Sequence, residues 1–139
     1  MIEETNRSSA MIVLEAFEQV YPDRVDVYEV AACRIDEIVK QTEPGMLVHA
    51  LSRQHATTEA ITYRWLEVFA NTAALSAHLD NPAVLEHSKL MSDGILTGPV
   101  RIVIHANWVG EEREYWKERL ATANFSVAKS CTAFYRLAH

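Results

Sequence analysis

Residues 63–87 limit the possible folds of this chain more than any other segment, because the spacing of their apolar residues changes from that of a strand to that of a helix. Residues 60–70 (AITYRWLEVFA) alternate between two faces, as a half-buried β-strand requires. Helical spacing follows at 72–79, and Pro82 suits the first position of a second helix at 82–92. The segment therefore predicts a strand that leads into two short helices, where polar side chains can lie at the mouth of a pocket.

The remaining strands and helices indicate an antiparallel sheet with helices on one face. Strands are predicted at residues 11–18, 46–53, 100–108 and 130–137, and longer helices at 25–39 and 111–121. Pro44 ends the first long helix, because proline cannot continue its hydrogen bonds. The resulting order, β-α-β-β-α-β with an α-β tail, is the split βαβ, or ferredoxin-like, arrangement of the α+β class.

The length and charge of the chain restrict its partners. For 139 residues we expect a single domain, with residues 1–9 as a flexible lead. The net charge of −6 disfavours nucleic acid and anionic membrane surfaces. No stretch approaches the ~20 apolar residues of a membrane span. Cys33 and Cys131 match no metal-binding spacing and are expected to be buried. The prediction is a reduced, cytoplasmic protein.

One face of the sheet has no helical cover in this arrangement. The third strand presents Leu66 and Val68 together, and the fourth presents Val100, Ile102, Ile104 and Trp108. Surfaces this apolar are rarely left in water. A second copy of the chain is the simplest cover, so we predict a homodimer that forms through the sheet faces.

Two titratable side chains are candidates for catalysis. His78 follows Ala74 and Leu75 at helical spacing and so lies on the apolar side of its helix, where a neutral imidazole could accept a proton from a phenol or hydroquinone. A structural hydrogen bond to a loop carbonyl is an equally good explanation of His78. Glu67 shares a strand face with aromatic residues, so desolvation could raise its pKa for use as a base. The alternative for Glu67 is a structural contact with Arg64, Arg101 or a helix N-terminus.

Other side chains are candidates for binding a substrate. They are aromatic or imidazole groups on the same strands and helices: Tyr63, Trp65, Phe69, His49, His105 and His87. Tyr63 and Trp65 could stack on a planar molecule, although aromatic residues on a strand more often belong to the core. A structural role is the default for each histidine. The histidines show no standard metal-binding spacing, so no metal site is predicted.

Four short motifs in order resemble the antibiotic biosynthesis monooxygenase family. They are TEPGM at 42–46, WLEVF at 65–69, AALSAH at 73–78 and the Asn81-Pro82 step. The resemblance covers about residues 11–108 and leaves 109–139 as a helix–strand extension. It implies the dimeric α+β barrel fold. It also implies oxidation of small aromatic or quinol-type molecules with dioxygen, often without flavin, haem or metal.

The resulting hypothesis is a cofactor-independent monooxygenase. In it, Tyr63 and Trp65 hold the substrate ring, while His78 and Glu67 accept and orient its proton. The alternative is a non-catalytic, small-ligand-binding or stress-related dimer of the same fold. A haem-binding or haem-degrading variant fits less well, because the first strand has no asparagine and Phe69 stands where haem-degrading members have tryptophan.

Overall fold

The computed structural model describes residues 11–120 and 124–128 of the chain. In chain order its elements are β1 (Ile12–Val20), a 3₁₀ turn (Pro22–Arg24), α1 (Val25–Thr42), β2 (Met46–Ala56), β3 (Ile61–Phe69), α2 (Thr72–Asp80), α3 (Pro82–Ser92), β4 (Arg101–His105), α4 (Gly110–Arg119) and β5 (Asn124–Ala128). The strand predicted at 130–137 and the lead at 1–9 lie outside the described residues. Strand β5 was not predicted.

The strands form one sheet in the order β2-β3-β1-β4-β5. β1 pairs antiparallel with both β3 and β4, β2 pairs antiparallel with β3, and β5 is parallel to β4. The predicted α+β, ferredoxin-like fold with an antiparallel core sheet is therefore confirmed. Among the described helices, none is long and apolar enough to cross a membrane.

The alternation of β3 determines which side chains face the helices. Its odd-numbered residues, from Ile61 to Phe69, are all buried, whereas its even-numbered residues are only partly buried. Directly opposed residues of antiparallel strands share a face, and Leu14 and Ala16 of β1 lie opposite Glu67 and Trp65. This inner face packs against α1, which buries residues at helical spacing: Tyr28, Ala32, Ile35 and Val39.

The structure corrects the predicted exposure of two groups. Ile102 and Ile104 lie opposite Ala16 and Leu14 and therefore belong to the inner face, where Ile104 is fully buried. The uncovered outer face carries Leu66 and Val68, as predicted, but not the isoleucines of β4. Trp108 and Val100, predicted on the same uncovered face, also pack in the core cluster that contains Ile104. Cys33 is exposed on α1 rather than buried, because it lies off the buried stripe of that helix.

Asparagine caps fix the two helices that follow β3. The Asn71 side chain accepts a hydrogen bond from Ala74 N at 2.9 Å, and the Asn81 side chain accepts one from Ala83 N at 3.0 Å. Pro82 occupies the start of α3, as predicted. These caps set where α2 and α3 begin, and so fix the position of the side chains that α2 carries over the sheet.

Gly45 allows the turn before β2 to approach α2 closely. A Cβ atom at this position would lie 2.6 Å from Ala74 Cβ, and the Gly45 carbonyl accepts a hydrogen bond from Ala70 N at 2.9 Å. We expect Gly45→Ala to lower the free energy of unfolding by about 1–3 kcal/mol, the usual range for overpacking. Urea denaturation would measure the loss.

Gly98→Ala is the matched control for this substitution, because nothing lies within 4 Å of a Cβ atom at Gly98. The control should leave the free energy of unfolding nearly unchanged. Equal stability of Gly45→Ala and Gly98→Ala would show that the turn and α2 can move apart without cost.

Candidate functional site

A cavity of about 1120 Å³ lies between the inner face of the sheet and the helices α2, α3 and α4. Its apolar wall includes Leu14, Ala16, Ile35, Val84, Met91, Ile102 and Leu120. Its polar groups include Glu18, His49, Glu67, His78 and His87. A second cavity of about 530 Å³ lies between α1 and α3 and is lined mostly by aliphatic side chains. The larger cavity holds the titratable cluster and is therefore the candidate site.

Carboxylates and imidazoles alternate in a chain beside this cavity. Glu67 lies between two histidines: His49 Nε2 is 3.7 Å from Glu67 Oε1, and His78 Nε2 is 3.6 Å from Glu67 Oε2. A second carboxylate holds the other nitrogen of each ring. The His49 Nδ1 atom is 2.8 Å from Asp36 Oδ1, and His78 Nδ1 is 2.9 Å from Glu43 Oε1. Each imidazole is thus oriented with its Nε2 atom toward Glu67.

The innermost pair of this chain is a buried ion pair. Burial alone would lower the pKa of His78, but its hydrogen bond with Glu43 and the charges of Glu67 and Glu43 outweigh burial and raise it. Burial likewise opposes the charge of Glu43, yet the bond from His78 and its positive charge bring the Glu43 pKa below its usual value. Asn81 adds a hydrogen bond to Glu43 at 2.9 Å. The arrangement favours a cationic His78 held by an anionic Glu43.

The outer end of the chain reaches solvent. His49 stacks on Trp65 with ring centroids 4.4 Å apart, which fixes the imidazole against the cavity floor. Its partner Asp36, on α1, has a side chain that is 49% exposed. The chain from Asp36 through His49 therefore connects Glu67 with the protein surface.

Glu18 is a second buried acid in the cavity, and the sequence analysis did not identify it. Its exposure is 6%, and Tyr28 donates a hydrogen bond to its Oε1 atom at 2.9 Å. Burial, with a smaller contribution from the charge of Glu67, raises its pKa from 4.5 to about 7, against the opposing hydrogen bonds of Tyr28 and Trp65. A signal was present in the sequence, because Glu18 continues the alternation of Leu14 and Ala16 on an otherwise apolar face.

His87 is held neutral at the edge of the same cavity. Burial, together with the positive charges of His49 and His78, lowers its pKa to about 4. Its Nε2 atom is buried and has no hydrogen-bond partner among the described residues. A neutral imidazole with an unused ring nitrogen suits a hydrogen bond to a ligand.

The structure brings five of the eight predicted site residues together around the cavity. These are His49, Trp65, Glu67, His78 and His87. Tyr63 and Phe69 are buried in the core, where Tyr63 packs on Tyr28 with ring centroids 4.4 Å apart. His105 lies opposite Val13 on the outer face, with its Nε2 atom 3.1 Å from Glu15, so it does not line the cavity. Glu43, Asp36 and Glu18 are the polar partners that the sequence analysis missed.

Hydrogen bonds join Asp36 to His49 and Glu43 to His78, whereas Glu67 lies 3.6–3.7 Å from the Nε2 atom of each ring, beyond hydrogen-bond distance. Within residues 11–120 and 124–128, no group of three or more histidine, cysteine, aspartate or glutamate side chains is placed to hold a metal ion. The network is therefore two hydrogen-bonded pairs with Glu67 between them in charge contact.

Comparison with known proteins identifies relatives by sequence and by fold. The family model for antibiotic biosynthesis monooxygenase matches residues 11–90, more than half of the chain. No curated protein matches the sequence. Among solved structures, MupZ from Pseudomonas fluorescens has a TM-score of 0.70 at 16% identity, with 91% of this chain and 95% of that chain covered.

Two further structures are provisionally assigned as antibiotic biosynthesis monooxygenases. The one from Caulobacter crescentus has a TM-score of 0.65 at 24% identity and covers 79% of this chain and 100% of its own. The one from Bacteroides thetaiotaomicron has a TM-score of 0.58 at 18% identity and covers 75% of this chain and 92% of its own. At such identities the likeness shows the fold alone.

The raised pKa of Glu18 predicts a specific dependence of stability on pH. The folded state holds the Glu18 proton up to about pH 7, whereas the unfolded state releases it near 4.5, so wild-type stability falls as pH rises between these values. Glu18→Gln removes this loss. We expect the stability of Glu18→Gln relative to wild type to rise between pH 4.5 and 7 by on the order of 3 kcal/mol and then to level off.

Urea denaturation of both proteins across pH 4–9 measures this difference, and groups other than Glu18 cancel in the comparison. A difference that stays constant with pH would contradict a neutral, buried Glu18.

Because His78 and Glu43 form a buried pair, we expect removal of the imidazole to lower the free energy of unfolding strongly. His78→Ala leaves two buried carboxylates, Glu43 and Glu67, without their shared cation, and we expect a loss of about 3–5 kcal/mol in the free energy of unfolding. His105→Ala is the matched control. Its carboxylate partner is at a similar distance, but the His105 side chain is 40% exposed, so the cost should be about 0–1 kcal/mol. Similar losses in the two variants would show that the His78 pair is not buried in solution.

Proposed function

Because this chain belongs to the antibiotic biosynthesis monooxygenase family, we propose that it is a monooxygenase that oxidises a small aromatic or quinol-type molecule with dioxygen, without a bound cofactor. The observation that carries the proposal is Glu67, which lies between two oriented imidazoles at the wall of a cavity large enough for such a molecule. The aliphatic walls would exclude water from the reacting anion.

In the proposed reaction, Glu67 is the base. It accepts a proton from the substrate, and His49 and His78 orient its two oxygen atoms. We assign the base to Glu67 rather than His78, because a His78 that already carries a proton on Nδ1 and a raised pKa is a poor acceptor. His49 and Asp36 offer the proton a route to solvent.

The electrons for oxygen reduction come from the substrate itself. A ring carbon of the deprotonated quinol reacts with dioxygen, so that one oxygen atom is bonded to that carbon and the other leaves as water with two of the substrate's hydrogens, which converts the quinol into a hydroxyquinone. This stoichiometry balances without an external reductant. It is consistent with a protein whose contribution is to bind, deprotonate and desolvate the substrate.

The proposal includes a homodimer through the outer face of the sheet. That face carries Val13, Phe17, Leu66 and Val68, which are only partly buried in the single chain. A partner would cover this apolar strip. We also place the protein in the cytoplasm, a setting that an exposed, free Cys33 would suit.

One observation favours a second function, the non-catalytic ligand-binding dimer. The Nδ1 atom of His78 is fully engaged by Glu43 at the junction of α2 with the turn before β2, which is the geometry of a structural histidine. A binding protein would keep the cavity and the network but would not turn a substrate over.

Oxygen uptake distinguishes the two functions. Purified, metal-free protein is incubated with a panel of hydroquinones and polyphenols, and dioxygen consumption is recorded for wild type and Glu67→Gln. We expect the substitution to lower turnover by about 100-fold or more, the scale expected for loss of a general base. Glu114→Gln is the matched control, because Glu114 is exposed on α4 and does not line the cavity.

Each other outcome has a defined meaning. Equal turnover by wild type and Glu67→Gln would remove Glu67 from the mechanism. Binding of panel members, seen as a change in tryptophan fluorescence, without any oxygen uptake by wild type would favour the ligand-binding dimer.

A further inference from the structure

The second cavity, of about 530 Å³, lies outside the candidate site in a groove between α1 and α3. Among the described residues, only Ile35 and His87 line both the groove and the larger cavity, so these two side chains form the wall between them. Within residues 11–120 and 124–128, no tyrosine, tryptophan or phenylalanine lines the groove. Its other apolar lining residues are aliphatic: Val27, Val30, Ala31 and Ile38 of α1, and Ala83 and Leu90 of α3.

The two helices that enclose the groove are joined at both ends. Asn81, the cap of α3, donates hydrogen bonds to Thr42 Oγ1 at 3.2 Å and to Glu43 Oε2 at 2.9 Å, at the carboxyl end of α1. Near the opposite ends of the helices, Tyr28 of α1 and Met91 of α3 are buried in one apolar cluster. The helices therefore run antiparallel and side by side, with the groove between their two points of attachment.

The groove is long as well as aliphatic. Along α1 its lining extends from Asp26 to Ile38, about 18 Å at a rise of 1.5 Å per residue. Ala31 and Ala83 contribute only small side chains from the two helices, which leaves space for an occupant. A linear groove with aliphatic walls suits an extended hydrocarbon chain, because such a chain makes dispersion contacts with both helices along its length.

The surface of α1 at the groove is a second apolar stripe, separate from the one that packs on the sheet. Val27 and Val30 lie on this second stripe and are 45% and 73% exposed, and Leu90 of α3 is 47% exposed across the groove. Contiguous apolar surface left in water marks a binding site. A hydrocarbon chain in the groove would remove part of this surface from water. The first stripe of α1 consists of the buried residues Tyr28, Ala32, Ile35 and Val39.

The charged groups of the groove restrict the head group of such a ligand. Asp26 and Glu86 supply two carboxylates, and Arg34 supplies one cation. A carboxylate head group would face two like charges, and an ammonium head group would face Arg34. A hydroxyl group can donate a hydrogen bond to a carboxylate and accept one from a guanidinium, so it is compatible with all three side chains.

We infer that the groove between α1 and α3 is a second ligand site, which binds the hydrocarbon chain of an uncharged, alcohol-type amphiphile. The chain lies against Val27, Val30 and Leu90, and the hydroxyl group lies among the charged side chains. The inference goes beyond the proposed function, because it concerns a different cavity and does not depend on oxygen chemistry.

A series of straight-chain alcohols tests this inference. The dissociation constants of 1-hexanol, 1-heptanol and 1-octanol are measured by calorimetry. We expect the affinity to rise by about 4-fold for each added CH₂ group, the factor expected when one CH₂ group is buried. Octanoate at pH 8 is the comparison for the head group. It should bind about 10-fold or more weakly than 1-octanol, because its carboxylate is repelled by those of the groove.

Matched substitutions locate the bound chain. Leu90 lines the groove, whereas Leu85, on the same helix and 57% exposed, lines the larger cavity instead. We expect Leu90→Asn to weaken the binding of 1-octanol by about 5-fold or more, and Leu85→Asn to change it by less than about 2-fold. Val30→Asn and Val109→Asn form a second pair, since Val109 is 64% exposed and lines neither cavity. All four positions are exposed, so the variants should fold as wild type does.

Each contrary result overturns the site. A loss of affinity as large in Leu85→Asn as in Leu90→Asn would place the alcohols in the larger cavity. An affinity that does not change with chain length, or octanoate that binds as tightly as 1-octanol, would reject an uncharged hydrocarbon chain as the ligand. If none of the alcohols binds, the groove is not a site for them. A smaller sedimentation coefficient for Leu90→Asn than for Leu85→Asn would show that the groove is a contact between copies of the chain. None of these results affects the oxygen-uptake experiment, so the failure of this inference is distinct from the failure of the proposed function.

Discussion

The organisation of the site depends on how the charges of its three buried carboxyl groups are paired or neutralised. Glu18, Glu43 and Glu67 all have less than a tenth of their surface exposed, and a buried charge is costly unless it is paired or neutralised. The structure uses both solutions. Glu43 and Glu67 share the cation of His78, whereas Glu18 keeps its proton. The shared cation also joins the turn after α1 to α2, so the same contact that balances the charge closes one wall of the cavity.

The sequence could predict the part of the site that follows from alternation and helical spacing. The direction of the Glu67 side chain was predictable. Side chains of a strand alternate between two faces, and the face of β3 that carries Glu67 is the one rich in large apolar residues, which is the one expected to be buried. His105 was not predictable in the same way. Its strand is short, and a shift of one residue exchanges its faces. The register with β1 puts Ile104 inside and His105 outside.

Contacts between side chains that are distant in the sequence could not be predicted either. Glu43 was visible only as part of a turn motif, yet it contacts His78 across 35 positions of sequence, and no local pattern encodes that contact. The cavity also extends past the segment that the family model matches. Arg119 and Leu120, at the end of α4, line it, and Arg119 pairs with Asp80 of α2. The extension thus supplies a wall that can give this chain a ligand preference of its own.

The difference between Glu18 and Glu67 is what makes acid–base chemistry in the cavity physically coherent. Two carboxyl groups of the same intrinsic chemistry can take different roles only if their surroundings differ, and here the imidazoles of His49 and His78 lie against Glu67, whereas no imidazole of the described residues is among the groups that shift the pKa of Glu18. In the proposed reaction, negative charge develops on the substrate as its proton moves toward Glu67. A cationic His78 beside Glu67 would attract that charge more strongly as the reaction proceeds, which is the condition for a contact to aid catalysis as well as binding.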